Sequence, residues 1–366
     1  MRELNEEELK DMIVGCTVLG TGGGGDPEEG WKMVKEALDQ GKKFKVVTLD
    51  ELPDDSIVVE PSFVGSIAPG LKPKKKVKIQ DPVKKAFERM EEYLGKKIDA
   101  VVATELGGSN TPLALSIAAR LDRLIIDGDL IGRAAPQYHQ ASVHLFDVPM
   151  YPAVMLTQTG NMVIVEQYAD IDDYENIARY LSVLDGVFSI VVDTPMTVKV
   201  AKTAVIHGTV SLSIKVGKAI REARTNKEDP LDAVVEVLSG WRIFEGKVKR
   251  YAWRDEGGFL KGEAEVAGTG KYEGHTLKSW IMNEHIMAWI DERPILMPPD
   301  LLMFLQDNGE PITNTNLKEG MKINAIVAKA PEKWRSPKGL QYFGPQRFGF
   351  KYEYVPVEEL LKWWLK

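Results

Sequence analysis

Apolar positions in the first forty residues recur at helical spacing in two blocks separated by glycines. Leu9, Met12, Ile13 and Cys16 mark one face of a first helix, and Asn5 with Glu8 three residues later forms a capping box at its start. A second helix opens at Asp26 as N-cap, with Pro27 at its first position and Glu28 and Glu29 in its first turn. It runs through Trp31, Val34 and Leu38 to Gly41. From residue 44 to about 167, short apolar runs alternate with helical patterns. Residues 44–49, 57–59, 98–104 and 124–127 read as strands, several apolar on both faces as buried parallel strands are. Residues 82–94 and 112–121 read as helices, the latter with Thr111 as cap. Residues 153–158 and 162–167, joined by Thr159-Gly160-Asn161, read as an edge hairpin.

The pattern then changes. Residues 173–184 and 210–224 are helical, while 187–192 and 197–200 are strand-like. Beyond Gly240 come short glycine- and aromatic-rich strands at 247–253, 262–266, 277–289 and 321–327. A terminal helix over 356–366 packs through Leu360, Leu361 and Trp364. The expected fold is α/β: an N-terminal three-layer α/β domain over 1–167 with a mostly parallel sheet, then a mixed and β-rich domain over 168–366. The latter contains a barrel or sandwich at about 240–350.

Composition narrows the function classes. A chain of 366 residues calls for two domains, and a net charge of -7 argues against a general nucleic-acid binder. No apolar run has the length of a membrane span, and the acidic N-terminus lacks a leader pattern. The single cysteine, Cys16, admits no internal disulfide, so a cytoplasmic setting is expected. On the apolar face of its helix it reads as a small buried hydrophobe. The lysines of 72–78 read as a solvated edge. His139 and His144 stand five apart without a Cys/His cluster, so a dedicated zinc site is not expected.

The run Gly20-Thr21-Gly22-Gly23-Gly24-Gly25 places five glycines in six positions between two helices. A dinucleotide fingerprint follows a strand, and a P-loop ends in Gly-Lys-Ser/Thr, so nucleotide readings lose their support. Two readings stay open: bare amides beside a helix N-terminus that suit an anionic ligand group, or a tight helix–helix corner.

The chemistry-bearing constellation follows two strands. After 98–104 come Glu105-Leu106-Gly107-Gly108-Ser109-Asn110; after 124–126 come Asp127-Gly128-Asp129 and then Gly132-Arg133. Open α/β sheets bind ligands outside the carboxyl ends of their strands. Glu105, Asp127 and Asp129 are therefore the candidate catalytic carboxylates, either as general acid and base or as ligands of a divalent metal ion. Gly22, Gly23, Gly24, Gly25, Gly107, Gly108, Asn110, Arg133 and Asn283 are the candidate substrate-binding residues, Arg133 as a bidentate clamp on a carboxylate. Asn283 and Glu284 interrupt an aromatic strand-like run, as a contribution to the site or as turn chemistry.

In order, Leu19 to Pro27, Glu105 to Asn110, Asp127-Gly128-Asp129 with Gly132-Arg133-Ala134, Gly208-Thr209-Val210-Ser211, Asn283-Glu284, Pro299-Asp300-Leu301 and Gly344 to Gly349 resemble the successive signatures of the DUF917 family. Its members are also called S-methyl thiohydantoin desulfurase-like proteins. The resemblance spans nearly the whole chain and implies an α/β domain followed by a barrel-containing region. It also implies attack on a thiohydantoin ring at its sulfur-bearing carbon and association with hydantoinase or oxoprolinase-type proteins. The lysine-rich insertion at 72–78 and His139 depart from the family pattern.

The expected activity is hydrolase-like, on a small cyclic amide of hydantoin or thiohydantoin type, with water activated by a carboxylate or a metal ion. The alternative is a non-catalytic binding or assembly partner of a hydantoinase-type enzyme, with Trp280, Trp289 and Trp334 as interface anchors. A small-molecule substrate and a homo-oligomer are expected, with no nucleic-acid or membrane partner.

Overall fold

In the computed structural model, which describes residues 1–65, 75–186, 188–256 and 258–365, two sheets organise the chain. The first has nine strands: β1 (Arg2–Leu4), β2 (Phe44–Val47), β3 (Ile57–Gly65), β4 (Ala100–Ala103), β5 (Leu124–Asp129), β6 (Ala153–Leu156), β7 (Met162–Val165), β8 (Phe188–Thr197) and β9 (Ile206–His207). Their order is β1-β2-β5-β4-β3-β8-β6-β7, with β9 on β5. The four central strands β2, β5, β4 and β3 are parallel, and antiparallel strands flank them. The centre is parallel because helices cross between its strands, and its Val, Ile and Ala side chains are buried on both faces. The 153–165 hairpin lies at the edge, as its sequence indicates.

Helices α1 (Glu6–Leu19), α2 (Pro27–Asp39), α3 (Pro82–Leu94), α4 (Asn110–Arg120), α5 (Ile171–Asp185), α6 (Val198–Ala204), α7 (Thr209–Asn226) and α8 (Pro230–Leu238) pack along this sheet or on one another. The capping box of α1 is formed by both expected bonds, Glu8 N–H to Asn5 Oδ1 at 2.9 Å and Asn5 N–H to Glu8 Oε2 at 3.0 Å. Two expectations are corrected. Residues 198–200, read as strand from their β-branched residues, open α6. The 112–121 helix begins two residues earlier, at Asn110, with Ser109 rather than Thr111 at its cap position.

The second sheet has seven antiparallel strands curled into a half-barrel: β10 (Trp241–Glu256), β11 (Phe259–Gly268), β12 (Thr276–Met282), β13 (Glu284–Ile290), β14 (Arg293–Leu296), β15 (Leu301–Leu305) and β16 (Lys322–Ala328). The 277–289 run, read as one strand, is two. It folds back at Asn283, which adopts φ of 57°. Strand β15 joins the two cores through the period-two alternation of a strand. Leu301, Met303 and Leu305 belong to the core of the first sheet, while Leu302 and Phe304 belong to that of the second. Among the described residues no helix is long and apolar enough to cross a membrane.

The 356–366 segment is a short α-turn, Val357–Leu360, followed by a 3-10 turn. Val357 and Leu361 are its buried residues, and Trp364 stacks against Phe244 and Tyr272. Of the lysine run, 72–74 lies outside the described residues, and Lys75, Lys76 and Lys78 are exposed.

Candidate active site

The glycine run makes the turn between α1 and α2, and its amides are largely committed within the chain. Asp26 caps α2 by accepting the Glu28 N–H at 2.8 Å, which occupies the helix N-terminus. The Gly24 carbonyl accepts from Ser109 N and Asn110 N at 3.0 and 3.2 Å and so caps α4. Two glycines are required by close approach. A Cβ on Gly23 would stand 1.8 Å from Glu284 Oε1. One on Gly24, whose φ is +75°, would stand 2.4 Å from the Gly107 Cα. The loop is thus interleaved with the Glu105–Asn110 loop on one side and Glu284 on the other, and the Gly24 amide lies beside the Glu284 carboxyl.

Glu105 stands just past β4 and is 7% exposed. Its Oε1 accepts from Asn110 Nδ2 at 2.6 Å and its Oε2 from the Ala135 N–H at 2.9 Å. Burial pushes its pKa up to about 7, against the opposing pull of these two donors and of Arg133. Glu284 is 2% exposed, and its carboxyl is held well above the usual range by burial and then by the charge of Glu105. Asn110 is exposed, and Gly23, Gly25, Ser109 and Ala135 are half-buried, so these residues rim the approach to Glu105.

Asp129 and Asp127 have other occupations. Asp129 is wholly buried, and its Oδ2 accepts from Ile131 N and Gly132 N at 2.9 and 2.7 Å, closing the turn after β5. Burial raises it to about 7. Asp127 caps α7: its two oxygens accept from Ser211 N and Ser211 Oγ at 2.8 and 2.6 Å. The cap of α7 is therefore supplied by a strand carboxylate, not by a hydroxyl of its own first turn. The proposed metal set of Glu105, Asp127 and Asp129 does not fit: both Asp127 oxygens are taken, and among the described residues no three His, Cys, Asp or Glu side chains gather around one point.

Arg133 is buried, and each of its five N–H donors is used. Nε donates to Ala134 O, Nη1 to Pro299 O and Asp300 O, and Nη2 to Thr21 Oγ1 and His285 O, at 2.7–3.1 Å. It therefore ties the glycine loop to the half-barrel, and no N–H remains to clamp a substrate carboxylate. Its positive charge faces Glu284, Asp300 and Glu105. Gly22 packs on Asn314, Gly25 on Ser109, and Gly107 and Gly108 on the backbone of Gly24 and Gly25. Asn283 exchanges hydrogen bonds with Leu260, Oδ1 accepting from its N–H at 2.9 Å, and so serves the turn.

Of the candidates, Glu105, Asn110, Gly23, Gly24 and Gly25 are brought together, with Arg133 behind them. Glu284 joins this group from 179 positions along the chain. The sequence offers Glu284 as a contribution to the site or as turn chemistry, but sequence reasoning passed over Glu60 and Asp193, two wholly buried carboxyls on β3 and β8. The signal was present, because both follow apolar strand runs (Ile57-Val58-Val59-Glu60 and Ile190-Val191-Val192-Asp193), as Glu105 does.

The remaining candidates are quiet. Cys16 is fully buried and its thiol is pushed up to about 11. Burial lowers His139 and His144 to about 4, so both are neutral near pH 7. Trp334 is fully buried and donates to Ile131 O at 2.7 Å, and Trp280 and Trp289 pack on Phe350. All three rings are engaged within the chain.

Comparison with known proteins agrees over nearly the full length. The model of the S-Me-THD-like N-terminal domain matches residues 7–167, and that of the S-Me-THD-like C-terminal domain matches residues 169–357. No curated protein matches the chain. A crystal structure of a protein from Chromobacterium violaceum superposes with a TM-score of 0.77 at 21% identity, covering 98% of this chain and 100% of that one. At that identity the likeness speaks for the fold.

Proposed function

The chain belongs to the S-methyl thiohydantoin desulfurase-like family, and on that premise we propose that it hydrolyses a small cyclic amide of the thiohydantoin type with Glu105 as general base. The observation that carries the reading is the pairing of unlike acidities at one locus. Glu105, raised to about 7, is half ionised near neutrality, while Glu284, beside the bare backbone of Gly23 and Gly24, is held protonated. Two carboxyls whose surroundings push their pKa values apart divide into base and acid.

In this scheme Glu105 takes one proton from water as the water oxygen bonds to the ring carbon that bears sulfur, and the carbon–nitrogen π electrons move onto the ring nitrogen. The carbon–sulfur bond then breaks, the departing thiolate takes the proton held by Glu284, and the second proton of the water passes from the new hydroxyl to the ring nitrogen. The ring keeps a carbonyl where the thioether stood, the products are a hydantoin and a thiol, and exchange with solvent removes the proton from Glu105 and restores the one on Glu284. Asn110 orients the base.

The test is thiol release from an S-methyl thiohydantoin by wild type and by Glu105→Gln. Glutamine accepts from the Ala135 N–H through its oxygen and donates its amide to Asn110 once the Asn110 amide turns over, but it cannot accept the proton. A loss of about 10²–10⁴-fold in kcat/KM is expected for a removed general base, with Tm nearly unchanged. Full activity in Glu105→Gln would overturn the assignment.

A further inference from the structure

Behind Glu105 lies a second pair of carboxyls that the proposed reaction does not use. Glu60 on β3 and Asp193 on β8 are cross-strand partners in register, both at zero exposure. Residues directly opposite in an antiparallel pair bring their side chains together, and like charges there are repulsive.

The hydrogen bonds around the pair leave one gap. Glu60 Oε1 accepts from the Thr104 hydroxyl. Asp193 Oδ1 accepts from the Thr194 hydroxyl at 2.7 Å, and Oδ2 from the Tyr174 hydroxyl. Glu60 Oε2 has no donor, and the Glu60 and Asp193 carboxyls lie within hydrogen-bonding reach of each other. Two carboxylate oxygens bond each other only when one carries a proton. A proton on Glu60 Oε2, donated to Asp193, satisfies every oxygen of the pair and leaves a single negative charge on it. Thr194 is held at φ of +48°, rare for a β-branched residue, and this conformation turns its hydroxyl onto Asp193.

The pair reaches Glu105 through one residue. Thr104, whose hydroxyl is bound to Glu60, immediately precedes Glu105 in the chain, and the charges of Glu60 and Glu105 repel. The other ionisable groups turned toward the pair are Tyr138, Tyr168 and Tyr174. Glu175, which faces Tyr138, is paired with Arg179 at 2.6 Å. Glu105 itself is faced by Arg133, Glu284 and Asp129 as well as by Glu60.

We propose that Glu60 and Asp193 hold one proton between them and that the charge retained by the pair adds to the burial that raises Glu105, which makes Glu60 and Asp193 positioning residues for the base. The proposal rests on the reading of Glu105 as that base. Desolvation supports the shared proton, since burial raises Asp193 to about 6 and Glu60 well above its usual range.

Infrared difference spectroscopy tests it without substrate. At about pH 8, where Glu105 is mostly ionised, wild type should show a protonated-carboxyl carbonyl band that Glu60→Gln lacks, the band of Glu284 remaining. Glutamine places an N–H where the proton was, so the charge stays on Asp193. The Glu105 midpoint, read as wild type minus Glu105→Gln spectra, should therefore not move in Glu60→Gln. In Glu60→Gln/Asp193→Asn the charge is gone, and the midpoint should fall by about half a pH unit or more, roughly threefold in the ionisation constant. An unchanged band in Glu60→Gln, or an unmoved midpoint in the double variant, overturns the proposal. The wild-type titration alone decides the shared proton if a variant fails to fold: a carboxyl pair that loses two protons together near pH 4 refutes it. Retained turnover in Glu105→Gln strikes only the general-base reading.

Discussion

The junction after β4 and the turn after β5 each hold a carboxyl group that burial raises to about 7, Glu105 in the first and Asp129 in the second. Their partners differ. Glu105 is held by an exposed side chain, Asn110, and by an amide at the rim, whereas Asp129 accepts two amides of its own turn and has zero exposure. Acidity alone therefore does not identify a catalytic group. What separates the two is whether the partners leave a face open to an incoming molecule, and perturbed carboxyls serve structure as readily as catalysis.

The largest effect that sharpens this contrast comes from the residue that holds both loops in place. Arg133→Ala should remove about 4–5 kcal/mol of unfolding free energy in urea titration, because it strands the Thr21 hydroxyl and four carbonyls that are otherwise paired in the interior. Arg133→Lys should recover only part of this, since an ammonium cannot reproduce the planar fork. A clamp on substrate would instead give a variant with a raised KM and wild-type stability.

Next in size is Asp129. Its replacement by Ala should cost about 2–4 kcal/mol through two unpaired buried amides. Asp129→Asn should be much milder, because one amide oxygen can accept both bonds. For Glu105 the pattern inverts: the Gln variant folds normally and loses turnover. An Asp129→Asn protein that is stable but inactive would break the comparison and return Asp129 to the chemistry.

Smaller again is a dependence of stability on pH. Glu105, Asp129 and Asp193 have folded pKa values of about 7, 7 and 6, above those of unfolded carboxyls near 4, so the folded state binds more protons between these limits. Their contribution is fully present below about pH 4 and is lost as pH rises through about 7. Glu358, held at about 2 mainly by Arg335, acts in the opposite sense at lower pH, and His139, His144 and His285, lowered by burial to about 4, 4 and 3, oppose the carboxyls up to about pH 6.5. Urea midpoints measured from about pH 6.5 to 8 should therefore fall, and less steeply in Asp129→Asn. A rising curve would contradict the burial argument.

How much of this was legible depended on whether the signal was local. Helix α3 was readable to the residue, because Pro82 opens it and Gly95 closes it in the left-handed conformation. The parallel centre was readable from runs such as Ala100–Ala103, apolar on both faces. The acids after those runs were readable as a group, but which one meets the rim was not. That choice rests on Gly132 turning at φ of +80°, on Arg133 reaching carbonyls at 299 and 300, and on Glu284 arriving from the half-barrel. The hairpin at Asn283 was hidden because strand-forming residues flank a single residue in a positive φ conformation. The glycine run was legible as a close approach, but the group that approaches Gly23, Glu284, is encoded far along the chain.

The finest test of the contrast is Asn110. Its amide donates to Glu105 at 2.6 Å and favours the ionised carboxyl, so Asn110→Ala should raise the Glu105 midpoint further. The sign follows from the bond: a lost donor to the charged form leaves the carboxylate less stabilised, so Glu105 keeps its proton to higher pH. The acid limb of kcat/KM should then move upward, lowering the rate below pH 7 by about two- to threefold while leaving the plateau above it intact. The effect is small because Asn110 is exposed, and water can replace a donor there. Stability should stay within about 0.5 kcal/mol of wild type, as for other exposed substitutions. Had Glu105 been an interior, turn-closing group like Asp129, the same substitution would leave the pH profile in place, and the distinction between the two carboxyls would fall.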